Sequence, residues 1–172
     1  MKKFSNMGKV IKPIQLDIKG GFYVLMAIAV MSVPFQWLLA WMVSATVHEL
    51  GHLLALKLCG VTIGSVQLGW FGARIKTAYI VKSEWLCALA GPCAGLLLLF
   101  FSRWLPRVAI CALFHSVFNL LPIYPLDGGR FVRGLLEIAI PDKHVRWVST
   151  LIGVNVLGVI GFWLSEIIKN GL

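Results

Sequence analysis

The sequence predicts an all-α polytopic membrane protein of about five to six transmembrane helices, with a small β-hairpin inserted on the cytoplasmic side. Three observations lead there. The 172 residues are 59% hydrophobic and only 13% charged, whereas soluble domains are about 25% charged. Mean hydropathy is +0.85, and the apolar residues come in runs long enough for spans, which need about 20 residues each. Between Gly60 and Ser83 that pattern gives way to Gly, Val, Ile, Thr and aromatics in rough alternation, as in short strands. Residues 1–172 read as a single membrane-embedded domain without repeats, low-complexity tracts or long linkers. No cleavable signal peptide is expected, because the Lys-rich start leads into a long apolar run without a small-residue cleavage pattern.

The first span, about Gly21 to Val33, is short and must thin the bilayer or sit shallowly. Pro34 disfavours helix at Val33, so "SVPFQ" (Ser32–Gln36) is read as a turn. A second span follows from about Phe35 to Cys59, then the hairpin. The third span is expected from about Glu84 to Ser102, the fourth from Pro106 to Tyr124 and the fifth from Trp147 to Ile168. Between the last two, Asp127 to Arg146 should hold a short amphipathic surface helix bounded by Gly129 and Pro141.

Basic residues set the orientation. Lys2, Lys3, Lys9, Lys12 and Lys19 precede the first span, Arg74, Lys76 and Lys82 lie in the hairpin, and Arg130, Arg133, Lys143 and Arg146 follow the fourth span. The opposite side has Arg103, Arg107 and Lys169, so the N-terminus, the hairpin and the Asp127 region are placed in the cytoplasm. The cytoplasmic ends of spans two and four should then lie at similar depth. Membrane orientation also accounts for the net charge of +9, which leaves no need for a nucleic-acid partner. Arg130 and Arg133 can meet lipid phosphates or an acidic substrate tail, of which lipid is preferred. The seven tryptophans are read as interfacial belts. Cys59, Cys87, Cys93 and Cys111 form no CxxC pair and are read as small apolar fillers.

"ATVHELGHLLAL" (Ala45–Leu56) places three polar groups in the second span. His48 and His52 are four apart and share a helix face, so both rings can reach one zinc at about 2.0–2.1 Å. Glu49 projects beside them, free to take a proton from water that the metal has acidified. This is the H-E-x-x-H pattern. The same three groups in a membrane could instead form a packing cluster or a proton or metal-ion path. Ser44, Ala45 and Gly51 leave room for another helix to shield the site.

Hydrolytic zinc commonly has three protein ligands and an open position. Asp127, His115, Glu137 and His144 are the candidates for the third. Asp127 stands out because Pro122 and Pro125 break the helix before it and Gly128 and Gly129 follow. Irregular backbone at membrane depth belongs in protein or at a wet cavity. Asp127 as a helix N-cap is the alternative. His115 shares a face with Asn119 and is read chiefly as a packing histidine, and His144 as a solvated interface residue.

With both motifs in view, the chain resembles the site-2 protease family of intramembrane zinc metalloproteases. The likeness rests on "HELGH" on one membrane helix and "NLLPIYPLDGG" (Asn119–Gly129) on a later one, and extends over about Phe35 to Gly134. It implies that His48, His52 and Asp127 bind Zn2+, that Glu49 activates water and that Asn119 lies near substrate. "GPCAG" (Gly91–Gly95) matches a further family feature, read here as close helix packing. The placing of Pro125 is similar to the sporulation-type branch (stage IV sporulation protein FB-like), but no CBS domain is expected after the last span and no PDZ domain between the motifs. The resemblance implies an intramembrane zinc metalloendopeptidase of regulated proteolysis, acting in a bacterial cytoplasmic membrane on a single-span or membrane-associated protein, with its active site toward the cytoplasm. It further implies an edge strand within Gly64 to Val81 that pairs with an extended substrate.

Overall fold

The computed structural model describes residues 15–69, 72–77 and 84–169. Lys2, Lys3, Lys9, Lys12, Trp70 and Lys82, used above for orientation and belts, lie outside them. The chain runs β1 (Gln15–Ile18), α1 (Gly20–Ser32), α2 (Phe35–Leu58), β2 (Ile63–Gly69), β3 (Gly72–Thr77), α3 (Glu84–Cys87) and α4 (Ala90–Leu97). A 3-10 turn (Leu98–Phe101), α5 (Pro106–Asn119), α6 (Asp127–Ala139) and α7 (Asp142–Lys169) complete it. The fold is mostly helical, as expected, and the hairpin is present.

The hairpin belongs to a three-stranded sheet of order β1-β2-β3, with β1 parallel and β3 antiparallel to β2. β1 is not foreshadowed by the sequence. Its four residues, Gln-Leu-Asp-Ile, alternate polar and apolar but are too short a run to announce a strand, and it is held by neighbours distant in sequence: Gln67 Nε2 donates to Asp17 Oδ2 at 2.8 Å and Lys19 N–H to Leu68 O at 2.8 Å. β2 is the central strand, so among the described residues the outer edges of β1 and β3 have no strand beside them.

Several helix boundaries differ from expectation, and prolines account for most of the differences. The third span is broken into α3, a turn at Ala88–Leu89 and α4. Pro92 has no N–H to donate to the Ala88 carbonyl and its ring collides there, so α3 cannot run on into α4. The fourth span stops at Asn119 and not Tyr124, because Pro122 and Pro125 end the helical ladder. α7 starts at Asp142, directly after Pro141, so the charged Asp142–Arg146 is its first turn rather than connection. α6 begins at Asp127, leaving Gly129 inside it.

α2, α4 and α5 pack on one another and form the centre of the molecule, while α6 lies against α3 and α7. The exterior is unlike that of a soluble protein, and polar groups share the interior with apolar ones such as Leu38, Ala112 and Val145. Ser44, His48, His52, Ser116, Asp127 and Ser149 are inside, whereas Met31 is 89% exposed and Phe100 79%. α1 buries no residue, and α7 buries only Val145, Ser149 and Gly153 along 28 residues. Hydrocarbon is the solvent that suits such a surface. By length and apolarity, α2 and α7 can each cross a bilayer, whereas α1, α5 and the broken segment from Glu84 to Phe101 are shorter.

Close approach of α2 to α4 depends on Gly51. A Cβ there would stand 2.5 Å from the Ala90 carbonyl oxygen and 2.7 Å from Ala94 Cβ, both on α4. Gly51→Val is therefore expected to lower the thermal midpoint of the detergent-solubilised protein through overpacking of about 1–3 kcal/mol. A thermal shift assay against wild type, with exposed Gly158→Val as control, checks it.

Candidate metal centre

One face of α2 carries the site. Its buried positions Ala40, Ser44, His48, His52 and Leu56 recur every four residues, so they form a single stripe against α4 and α5. The two histidines thus share a turn-to-turn alignment in the shielded interior rather than facing lipid. Asp127, the first residue of α6, reaches the same point from a separate segment. The similar depth expected for the two motifs is met.

His48 Nε2 lies 2.9 Å from Asp127 Oδ2, His52 Nε2 lies 3.1 Å from the same oxygen, and the two Nε2 atoms are 3.2 Å apart. The protonation pattern follows from the partner of the other ring nitrogen. His52 Nδ1 is 3.0 Å from the Cys87 carbonyl oxygen. A carbonyl only accepts, so Nδ1–H donates, and in the neutral ring Nε2 keeps a bare lone pair. That lone pair faces a carboxylate oxygen and a second imidazole nitrogen. One proton can bridge one such pair; a multivalent cation answers all three contacts at once. A tetrahedral zinc site with bonds of about 2.0–2.1 Å has donor separations of about 3.3 Å, close to those found. The set of two imidazoles and one carboxylate, together with its burial, fits Zn2+.

The surroundings keep this space open. A Cβ on Gly91 would overlap His52 Nε2 and stand 2.8 Å from His48 Nε2. Gly91 is thus part of the site, whereas Gly95, four residues on, serves helix packing because a Cβ there would meet Ser116 Oγ of α5. The reading of "GPCAG" as packing alone holds for Gly95 and is corrected for Gly91. Asp127 is not an N-cap: Leu126 holds that position, no side chain caps the helix, and the carboxylate is turned to the histidines. A Cβ on Gly128 would meet the Leu120 carbonyl, and one on Gly129 would meet Ile123, so both glycines let α6 start against the preceding loop.

The other candidates for the third ligand separate cleanly. Glu137 pairs with Arg133 at 3.3 Å and His144 is exposed. His115 lies beside the centre as a packing ring, its centroid 4.5 Å from that of His48 and 6.2 Å from that of Trp41. Trp41 stacks on His115 with one face and stays exposed on the other, which is compatible with a belt position, and Trp85 packs on Phe131. Glu49, next to His48 on α2, is half-buried. Asn119 is half-buried and donates one Nδ2–H to the His115 carbonyl at 3.0 Å, which leaves its side-chain oxygen as an acceptor. Sequence reading misses Gly91 as a site residue and the Cys87 carbonyl altogether. A backbone carbonyl has no residue-type signal; the only available hint is Pro92, which ends a helix beside it.

A profile of the family described as Peptidase family M50 matches residues 99–160, a stretch that holds Asn119 and Asp127 but not the histidine pair. "Zinc metalloprotease MJ0392" of Methanocaldococcus jannaschii is 29% identical over 84% of this chain and 47% of its own length. "Putative zinc metalloprotease Rip3" of Mycobacterium tuberculosis is 31% identical over 75% of this chain and 38% of its own. "Stage IV sporulation protein FB" of Bacillus subtilis is 22% identical over 90% and 59% respectively. The chain thus spans about half the length of the curated relatives it matches. Among solved structures, "Site-2 Protease from Methanocaldococcus jannaschii" superposes with a TM-score of 0.63 at 25% identity, covering 98% of this chain and 87% of that one.

Metal analysis of the purified protein should find about one zinc per chain, falling to near zero in His48→Ala, His52→Ala and Asp127→Ala. Gly91→Ala should keep the fold and weaken zinc affinity by about 10–100-fold, the range seen when support around a metal ligand is lost. Competition with a chromogenic chelator measures both.

Proposed function

We propose that this chain, which carries a site-2 protease-type domain of Peptidase family M50, is an intramembrane zinc endopeptidase. The observation that carries the reading is the meeting of His48, His52 and Asp127 donor atoms in the buried interior, with Glu49 beside them. His48, His52 and Asp127 would hold the metal. Zinc, when bound, supplies a Lewis acid that acidifies water and polarises a carbonyl. Glu49 takes the proton from the attacking water and returns it to the leaving amine. Asn119, with one of its two amide N–H groups on the His115 carbonyl, can offer its side-chain oxygen to a substrate backbone N–H.

A helical substrate hides its peptide groups in its own hydrogen bonds, so cleavage needs a locally extended segment. The outer edge of β3 (Gly72–Thr77), which has no strand beside it among the described residues and lies within the stretch expected to bind substrate, can receive such a segment by strand addition. We take residues 1–172 as one membrane-embedded domain with a core of about 35–134, holding five to six spans. The substrate class is a single-span or membrane-associated protein, cleaved in a regulated manner. The setting is a bacterial cytoplasmic membrane with N-terminus and site toward the cytoplasm. Arg74, Lys76, Arg130 and Arg133 support that orientation among the described residues.

Co-expression with tagged single-span candidates, scored by immunoblot alongside zinc content, tests the reading. Glu49→Gln should retain zinc and lose cleavage by about 10²–10⁴-fold, the usual contribution of a general base. Asn119→Ala should also retain zinc, with cleavage reduced less than in Glu49→Gln. Equal product from wild type and Glu49→Gln would remove Glu49 from the mechanism. Ion flux in proteoliposomes without stoichiometric zinc would replace hydrolysis by transport.

A further inference from the structure

The four cysteines are dispersed in sequence, yet two of their sulfurs meet. Cys59 follows α2 as its C-cap and Cys87 ends α3; the Cys87 thiol donates toward the Cys59 sulfur at 3.6 Å. Cys59 is exposed, whereas Cys87 is buried in a small apolar cluster with Leu56 and Val61. Cys93 is also exposed and Cys111 half-buried, so only Cys87 fits the role of buried filler assigned to all four. A disulfide has its sulfurs about 2.05 Å apart, so linkage would draw this pair roughly 1.5 Å closer. Gly60, with φ 71, follows Cys59 and gives the chain a turn at which to yield.

The second observation is independent of the sulfurs. Cys87 is the residue whose carbonyl accepts from His52 Nδ1 at 3.0 Å. We propose that Cys59 and Cys87 are a reversible dithiol–disulfide modification site, and that its closure pulls the Cys87 carbonyl away from His52 and loosens the metal centre. The consequence for metal rests on the zinc reading of His48, His52 and Asp127; the bond itself does not.

The co-reactant is a peroxide. The exposed Cys59 sulfur attacks one peroxide oxygen, the O–O bond breaks, and a sulfenic acid and one water result. The Cys87 sulfur then attacks the Cys59 sulfur, the S–S bond forms as the S–O bond breaks, and a second water leaves with the remaining thiol hydrogen. Two thiols and hydrogen peroxide become one disulfide and two waters. A thiol reductant reverses the step by exchange. Such pairs in reducing compartments are characteristically transient and sensory.

The test uses the full zinc-loaded chain in detergent, treated with hydrogen peroxide. Peptides are mapped without reduction, and zinc affinity is measured by chelator competition. The expected result is a peptide joining Cys59 to Cys87, with zinc affinity lowered about 10–100-fold, both reversed by dithiothreitol. Cys59→Ser should form no link and keep its zinc affinity in the same peroxide. Separate oxidation of the two cysteines without a link overturns the proposal, as does a link with unchanged zinc affinity, or equal zinc loss in Cys59→Ser. Untreated wild type that never holds zinc sinks the metal reading and the coupling with it, whatever the peptides show.

Discussion

Two imidazole nitrogens and a carboxylate oxygen meet at 2.9, 3.1 and 3.2 Å in a buried interior, and that meeting needs positive charge to hold it together. The central architecture serves that constraint. α2 supplies both histidines on its one buried stripe, which must be covered closely enough to exclude lipid and yet not filled. Gly51 lets α4 approach, and Gly91 prevents that approach from occupying the space at the ring nitrogens. Asp127 cannot come from the same helix, so the chain must stop α5, turn and restart α6 at membrane depth. Pro122 and Pro125 stop it; Gly128 and Gly129 let the restart sit directly on the turn. Within the turn the backbone satisfies itself, through Ile123 N–H to Leu121 O at 2.7 Å and Leu126 N–H to Ile123 O at 2.8 Å. Irregular backbone in a membrane requires such local pairing.

The small-residue interior with its few polar groups and the apolar exterior follow from the same need. Hydrocarbon outside gives helices no hydrophobic reason to associate, so small residues and polar contacts must hold them. The α2–α4–α5 centre does use small residues, among them Ser44, Ala112, Ser116 and Gly95. Ser44 Oγ and Ser116 Oγ are buried without a hydrogen-bond partner among the described residues, and their size suits close packing better than their polarity does. α1 and α7 stand largely outside this centre, with their apolar faces open.

What can be read from the sequence is local. His48 and His52 fall on one face by helical spacing alone, and Pro122 and Pro125 announce an irregular segment wherever they occur. The long apolar runs locate α2 and α7 to within a few residues. Other features depend on contacts far apart in the chain. β1 gains its strand from β2, with a whole helix pair between them. The break at Ala88–Leu89 is visible in Pro92, but the near-uniform apolarity from Leu86 to Phe101 outweighs one residue when a span is drawn. No spacing rule joins positions 48 and 127; the proline-broken segment and the shared depth of the two motifs single out Asp127, and the family resemblance pairs it with the histidines. Gly91 and the Cys87 carbonyl are out of reach, since one acts by lacking a side chain and the other through its backbone.

The two histidines are held by unlike means, and this explains why the broken third span matters. His52 is fixed by a directional hydrogen bond, Nδ1–H to the Cys87 carbonyl, which sets both its rotation and the nitrogen it presents. His48 Nδ1 has no hydrogen-bond partner among the described residues, and its ring is instead braced by packing against His115. Packing limits where a ring lies but leaves its tautomer open, so His52 is the pre-set ring and His48 the adaptable one. A helix running straight from Glu84 to Phe101 would spend the Cys87 carbonyl on its own ladder. By ending α3 at Cys87, the Pro92 break leaves that carbonyl for His52, and by restarting at Ala90 it brings Gly91 beside both rings. One proline thus sets the orientation of one ring and the clearance around two.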